Sequence, residues 1–313
     1  NYDKNILKKL KTQTLGIIAS NNSDFDYQAS NALKAILYPN SRLATPSIGT
    51  PESIAQIELS DIKEFIENSL NLENMFIVLG GDIALERVKF DRLADVLKVG
   101  EARELSPVEV SIEQKEEIIS RPSQQAYIYF GSPLKFALED RYKLSVAMFI
   151  LGSSGFGSRL MEEIRVRKGL AYSVYCSANL NLSYNSMSGY LQTKNENKDK
   201  AIHLIKSQIA KFVKKGVTQK ELNAARNFLL GSEPLRKETM FKRLAIAQKE
   251  YNMIDSLIQK EYYQGYDLGE FDLNLERIKS LKQKELNEFI ASLEELNWLS
   301  IACLYSCLYS EPK

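Results

Sequence analysis

Histidine is almost absent: His203 stands alone among 313 residues. An HxxEH or HExxH zinc site needs two, so neither can be built from these residues, and a His-based triad would have to use His203. Cysteine is nearly as scarce. Cys176, Cys303 and Cys307 form no CxxC pair, and an odd number makes no disulfide framework. Cys303 and Cys307 lie in the apolar run 298–308 and read as buried neutral thiols. No apolar run is long enough to span a bilayer. Charge of one sign is lacking as well. With 41 Lys+Arg against 40 Asp+Glu the net charge is +1, which removes the electrostatic argument for a nucleic-acid or acidic-membrane partner. The chain opens Asn1-Tyr2-Asp3 with no methionine, so a preceding segment is expected. The compartment stays open: a soluble protein of bacterial type, periplasmic or cytoplasmic, is compatible with this composition.

What is present is an ordinary globular composition. The 44% hydrophobic and 26% charged residues exclude a wholly disordered or collagen-like chain. The length suits about two domains. Ile6, Leu7, Leu10, Leu15 and Ile18 predict a loosely amphipathic first helix, and 29–38 a second, stopped at Pro39-Asn40. Residues 41–51, with Pro46, Gly49 and Pro51, are turn-rich. Behind Ser60-Asp61, the residues Ile62, Phe65, Ile66 and Leu70 follow at helical spacing. The apolar run 75–79, closed by Gly80-Gly81-Asp82, reads as a buried strand entering a turn.

Pro107, Pro122 and the charges of 113–117 mark 98–123 as a linker. The predicted organisation is therefore a partly covered first domain over 1–97, the linker, and a second domain over 124–313. In the second, 126–130 reads as a strand and 141–150 as a helix, followed by the glycine-rich 152–157 and another helix to Arg167. Strands at 172–178 and 186–193 can pair through the Asn-rich turn between them. Three helical stretches come next, the first over 200–215 and the second opened by a Thr218/Glu221 capping box, before a closing strand within 298–308. The two units share a loose order that hints at duplication. Mixed strands and long helical pairs predict an α+β fold: two similar domains, each a mainly antiparallel sheet packed with helices.

Gly152-Ser-Ser-Gly155-Phe-Gly157 opens a helix, where backbone N–H groups can bind anions. Its spacing is G-x-x-G-x-G, and no Gly-Lys-Ser/Thr follows, so it predicts a close approach of two backbones rather than a nucleotide loop. No G-x-S-x-G elbow occurs. His203, on a Lys-rich helix, reads as a surface or half-buried residue, and Glu162-Glu163 as helix-surface groups. Residues 157–174 read bare as a basic helix ending at Gly169 and passing into an aromatic strand.

That last segment resembles the R/Y motif of the pitrilysin/insulinase-type zinc metallopeptidases, the HxxEH inverzincins, and above all their mitochondrial-processing-peptidase-like class. In that motif an Arg on a helix precedes a Tyr on the next strand by seven positions, and Arg165 and Tyr172 fit it. Weaker likenesses occur in the expected order at 38–54, 79–83 and 216–222. The resemblance implies two similar domains and a closed substrate chamber, with Gly152, Gly155 and Gly157 in a chamber or hinge loop.

The family's zinc is held by the two histidines of HxxEH and a downstream glutamate. The histidines would lie upstream of residue 1. The glutamate helix should fall within about residues 6–20, where the expected acids meet Leu10 and Ile17, and no glutamate occurs before Glu52. Apolar side chains supply no zinc oxygen. The resemblance therefore implies that this chain binds no zinc and no other cofactor. It would instead be the non-catalytic half of a heterodimer or larger assembly, with zinc in an HxxEH-bearing catalytic subunit and an unfolded peptide as substrate. Arg165 and Tyr172 would position that peptide and stabilise the transition state at the partner's zinc. Two alternatives stand beside it: an active peptidase whose HxxEH lies in the preceding segment, and a non-proteolytic structural or peptide-binding member of the same fold.

Overall fold

Two aspartates start the chain's first two helices. In the computed structural model, which describes residues 3–77, 84–232, 262–267 and 269–306, Asp3 accepts from the Asn5 amide to cap α1 (Lys4–Asn21). Asp24 accepts from the Asp26 and Tyr27 amides to cap α2 (Phe25–Leu37). Thr50 and Ser53 form a capping box for α3 (Pro51–Gln56), and α4 (Leu59–Ser69) and α5 (Asp91–Val96) come after it. Of these, α1, α2 and α4 match the helices expected from the periodicity of the first seventy residues; α3 and α5 were not anticipated. The predicted strand at 75–79 does not form over its described part: 75–77 is irregular. Phe76 is 39% exposed and turns its ring to Tyr262, 4.7 Å between centroids, instead of facing a core. The remainder of that run and the likeness at 79–83 lie outside the described residues, as does Cys307.

One five-stranded sheet organises the rest: β1 (Glu116–Ser120), β2 (Gln125–Pro133), β3 (Ala171–Leu180), β4 (Asn185–Lys194) and β5 (Ser300–Tyr305), in the order β1-β5-β2-β4-β3. The pairings are antiparallel except β1 with β5. The expected pairing of 172–178 with 186–193 is the β3–β4 pair. The stretch 98–123, expected to be a linker, contributes β1 and is tied down before it. The Val108 amide donates to the Ser183 carbonyl and the Ser111 amide to the Leu37 carbonyl, each at 2.8 Å. The physical reason is the free side of β5, which β1 covers.

Strand alternation divides the side chains of β2. Ala126, Ile128 and Phe130 enter the larger core, which also takes buried residues from helices α6 (Arg141–Met148), α7 (Lys198–Lys215), α8 (Gln219–Gly231), α9 (Glu270–Ser280) and α10 (Gln283–Ser292). Leu33, Ile36, Leu37 and Tyr38, from α2 and the residue after it, cover the opposite face, joining Ala302 and the partly buried Tyr129. Two hydrogen bonds of 2.8 Å fix that seat: Tyr38 with the Ser186 hydroxyl, and Tyr129 donating to Asp26. The architecture is α+β, with helices on both sides of a mixed sheet. Among the described residues of 1–97 there are helices and turns and no strand.

Because Leu37 is 2% exposed between α2 and the sheet, Leu37→Ala is expected to cost about 2–5 kcal/mol. Denaturant unfolding checks this; a loss well below that range would mean that α2 is not seated as described.

Candidate functional site

The glycine-rich loop grows out of α6, which widens into a π-helical turn over Phe149–Ser153. Gly152 is buried against β3: a Cβ there would lie 2.3 Å from the Cys176 sulfur and 2.9 Å from the Cys176 amide nitrogen. Only glycine allows that approach. Gly155 and Gly157 are glycine for a different reason, since both have left-handed backbone, φ +68° and +94°. The chain then turns into helix again, and Met161–Arg167 is π-helical, a geometry concentrated at functional sites. It ends at Gly169, φ +61°, whose amide donates to the Arg165 carbonyl at 2.9 Å.

This path brings the two expected residues together. The Arg165 guanidinium carbon lies 4.7 Å from the Tyr172 ring centroid and 4.6 Å from that of Phe156, so it is held between two aromatic rings. Phe156 and Tyr172 are 70% and 80% exposed. Tyr172 stands at the start of β3, where the register slips between Ala171 and Val174. β3 is a sheet edge, and no strand among the described residues pairs with its outer side. Arg165 has no carboxylate within ion-pair distance among the described residues, so its N–H donors are uncommitted. Phe156, which completes the stack, was visible in the sequence only as the aromatic inside the glycine loop.

A model of the family described as "Peptidase M16 inactive domain" matches residues 56–229. The chain belongs to the peptidase M16 family. It is 40% identical over 306 residues to "Non-peptidase homolog YmxG" of Helicobacter pylori, a match covering 96% of this chain and 68% of that protein. The crystal structure of a peptidase M16 inactive domain from Pseudomonas fluorescens superposes with a TM-score of 0.84, at 23% identity over 99% of this chain and 73% of that one. A chain of Complex III2 from Candida albicans shares the fold at a TM-score of 0.71 and 16% identity, covering 95% of this chain and 70% of that one.

The zinc-ligand positions expected of an M16 helix do not fit a metal here. α1 contains no Asp or Glu, and Leu10 and Ile17 are 52% and 50% exposed on it. Among the described residues no group of three or more His, Cys, Asp or Glu side chains is placed to hold a metal ion. His203 is exposed on α7. Glu163 pairs with Arg167 at 3.2 Å across one helical turn, as a helix-surface group does. Cys176 and Cys303 are buried, and burial pushes both thiols up to about 12, so they are neutral packing residues.

One ion pair of this M16 domain was not legible in advance. The predicted Thr218/Glu221 box forms, with the Thr218 amide donating to Glu221 at 2.7 Å. Arg159, sixty-two residues earlier, closes on the same carboxylate: its Nε and Nη2 donate at 2.5 and 2.8 Å, and Nη2 also reaches the Gly216 carbonyl at 2.7 Å. Partial burial raises the Glu221 pKa, but the Arg159 and Thr218 hydrogen bonds outweigh it and hold the carboxyl at about 2. A depressed folded pKa stabilises above the ordinary carboxylate value and ceases to as pH falls through the folded one. Wild-type stability should therefore fall by about 1–2 kcal/mol, after solvent screening, as pH drops from 4.5 to about 2. Glu221→Gln should flatten that part of a stability–pH curve; an unchanged slope would show that the pair is not linked to folding.

Proposed function

We propose that this M16 chain is the non-catalytic subunit of a heteromeric zinc endopeptidase, supplying Arg165 and Tyr172 to a peptide held at its partner's zinc. The observation that carries this reading is the Arg165 guanidinium held between Phe156 and Tyr172 with no carboxylate partner among the described residues, beside the open edge of β3. A salt-bridged arginine would have its donors filled. This one keeps a planar, permanently charged fork free for a peptide carbonyl or the oxyanion that develops from it, and the Tyr172 hydroxyl adds a donor. An unpaired strand edge also suits an extended chain, whose backbone can add as a further strand. Gly152, Gly155 and Gly157 set the path of the loop that carries Phe156, which gives the predicted chamber or hinge loop its part in the proposal.

Neither side chain generates a nucleophile. The attacking water and its base would come from an HxxEH-bearing partner, whose zinc would supply the activation of that water. The apolar Leu10 and Ile17 agree with that division of labour, and so does the name "Non-peptidase homolog" of the Helicobacter pylori relative.

The test is reconstitution with the cognate HxxEH chain and a fluorogenic unfolded peptide. Arg165→Ala and Tyr172→Phe are each expected to lower kcat by about 10²–10³, the cost of one oxyanion donor, while the complex still elutes intact from size exclusion. Arg165→Lys should rescue little, because an ammonium lacks the fork. Full turnover by both variants would overturn the proposal.

A further inference from the structure

A concave site lies along the segment that carries Arg165. It is a cleft of about 750 Å³ between the helical stretch 159–167, the C-terminal half of α7, the start of α8 and α10. Neither Arg165 nor Tyr172 lines it, although Gly157 of the glycine-rich loop does. The volume falls in the range of small-molecule sites, about 300–1,000 Å³.

Two independent features point to a ligand. The first is Gln208. Its side chain lines the cleft and the residue is 8% exposed, yet it has no hydrogen-bond partner among the described residues. That amide faces the cleft with its donor and its acceptor both unused among the described residues, available to a ligand. The second is charge. Five cationic side chains line the cleft against three carboxylates. Of these, Glu221 is taken by Arg159 and Glu163 by Arg167. Lys211, Lys215 and Lys220 remain without an ion-pair partner among the described residues, facing only Glu162 as a free acid. Val217 and Ala225 give the cleft an apolar floor.

We infer that this cleft binds a small organic polyanion that also presents an amide-like edge, one donor beside one acceptor. The edge meets the Gln208 side-chain amide, which offers the complementary pair. The anionic groups, carboxylate or phosphate, meet the lysines of α7 and α8. Glu221 does not compete for them, because Arg159 and Thr218 already saturate it.

Isothermal titration calorimetry on the intact chain separates the two sources of charge. N-carbamoyl-aspartate carries two carboxylates and a urea edge; ADP carries phosphates and the adenine edge. Tricarballylate and pyrophosphate carry the charge alone. Saturable binding is expected for at least one edge-bearing probe, about tenfold tighter than for its edgeless counterpart, as two neutral hydrogen bonds would give. Gln208→Met should erase that tenfold advantage. Lys211→Glu with Lys215→Glu, both at exposed positions, should weaken every probe without touching the buried amide. Absence of saturation by both edge-bearing probes at millimolar concentration would overturn the inference. So would Gln208→Met binding them as tightly as the wild type while retaining its melting temperature.

Discussion

Much of this molecule depends on the close approach of the glycine loop to β3 at Cys176. Gly152 sits against the Cys176 sulfur and amide on one side. Gly189, directly across the β4 pairing, would place a Cβ 2.7 Å from the Cys176 Cβ and 2.4 Å from the Tyr175 carbonyl. Cys176 thus fills a slot bounded by two residues that have no side chain, a fit that a buried neutral thiol tolerates and a larger residue would not. The constraint sets how near α6 and its π-helical continuation lie to the sheet. That spacing in turn sets where the loop leaves, where Phe156 stands, and where the helix carrying Arg165 begins relative to the start of β3.

Local chemistry explains what could be read in advance. The helices at the start of the chain announce themselves through Asp and Thr caps and apolar spacing, and β2 and β3 through their aromatic and β-branched residues. What escaped depends on partners far away in the chain. β1 is five residues with a mostly exposed pattern, and it is a strand because β5, almost two hundred residues later, leaves an edge for it. The segment 75–77 looked like a buried strand by composition, but its Phe76 finds aromatic partners at Tyr262 and Tyr263. For the site, the Arg165/Tyr172 spacing was visible as a motif, whereas Phe156 completing the stack, the Arg159–Glu221 pair and the partnerless Gln208 are products of tertiary packing.

The absent acids on α1 and the stacked arginine bear on each other. A zinc site concentrates negative charge from its ligands, and a helix that offers leucine and isoleucine at those positions has lost both the ligand and the charge that would steady a cation nearby. What the chain supplies in the candidate site is positive: a guanidinium without a counter-ion among the described residues, lying over two aromatic rings. A group of that kind has little use beside a metal ion of the same sign unless a substrate lies between them. A guanidinium held in this way can receive an anionic group, or one becoming anionic, which is what the proposed role asks of it.

Two arginines on one helical stretch show how differently the same side chain can be employed. Arg159 spends its fork on the Glu221 carboxylate and the Gly216 carbonyl, and lies over the Phe212 ring at 5.3 Å. With its donors committed, it ties the start of the helix to the α7–α8 turn. Arg165, six positions on, makes no such bonds among the described residues and lies over the Phe156 and Tyr172 rings. Stacking holds the plane of a guanidinium through its face while leaving the N–H groups at its edge open. A salt bridge would hold it as firmly but would fill the donors. The segment that carries Arg165 is π-helical over Met161–Arg167, and it sets the guanidinium against Tyr172. Structural fixation by aromatic rings, with the hydrogen-bonding edge kept free, is the arrangement a binding arginine needs and a purely structural one does not.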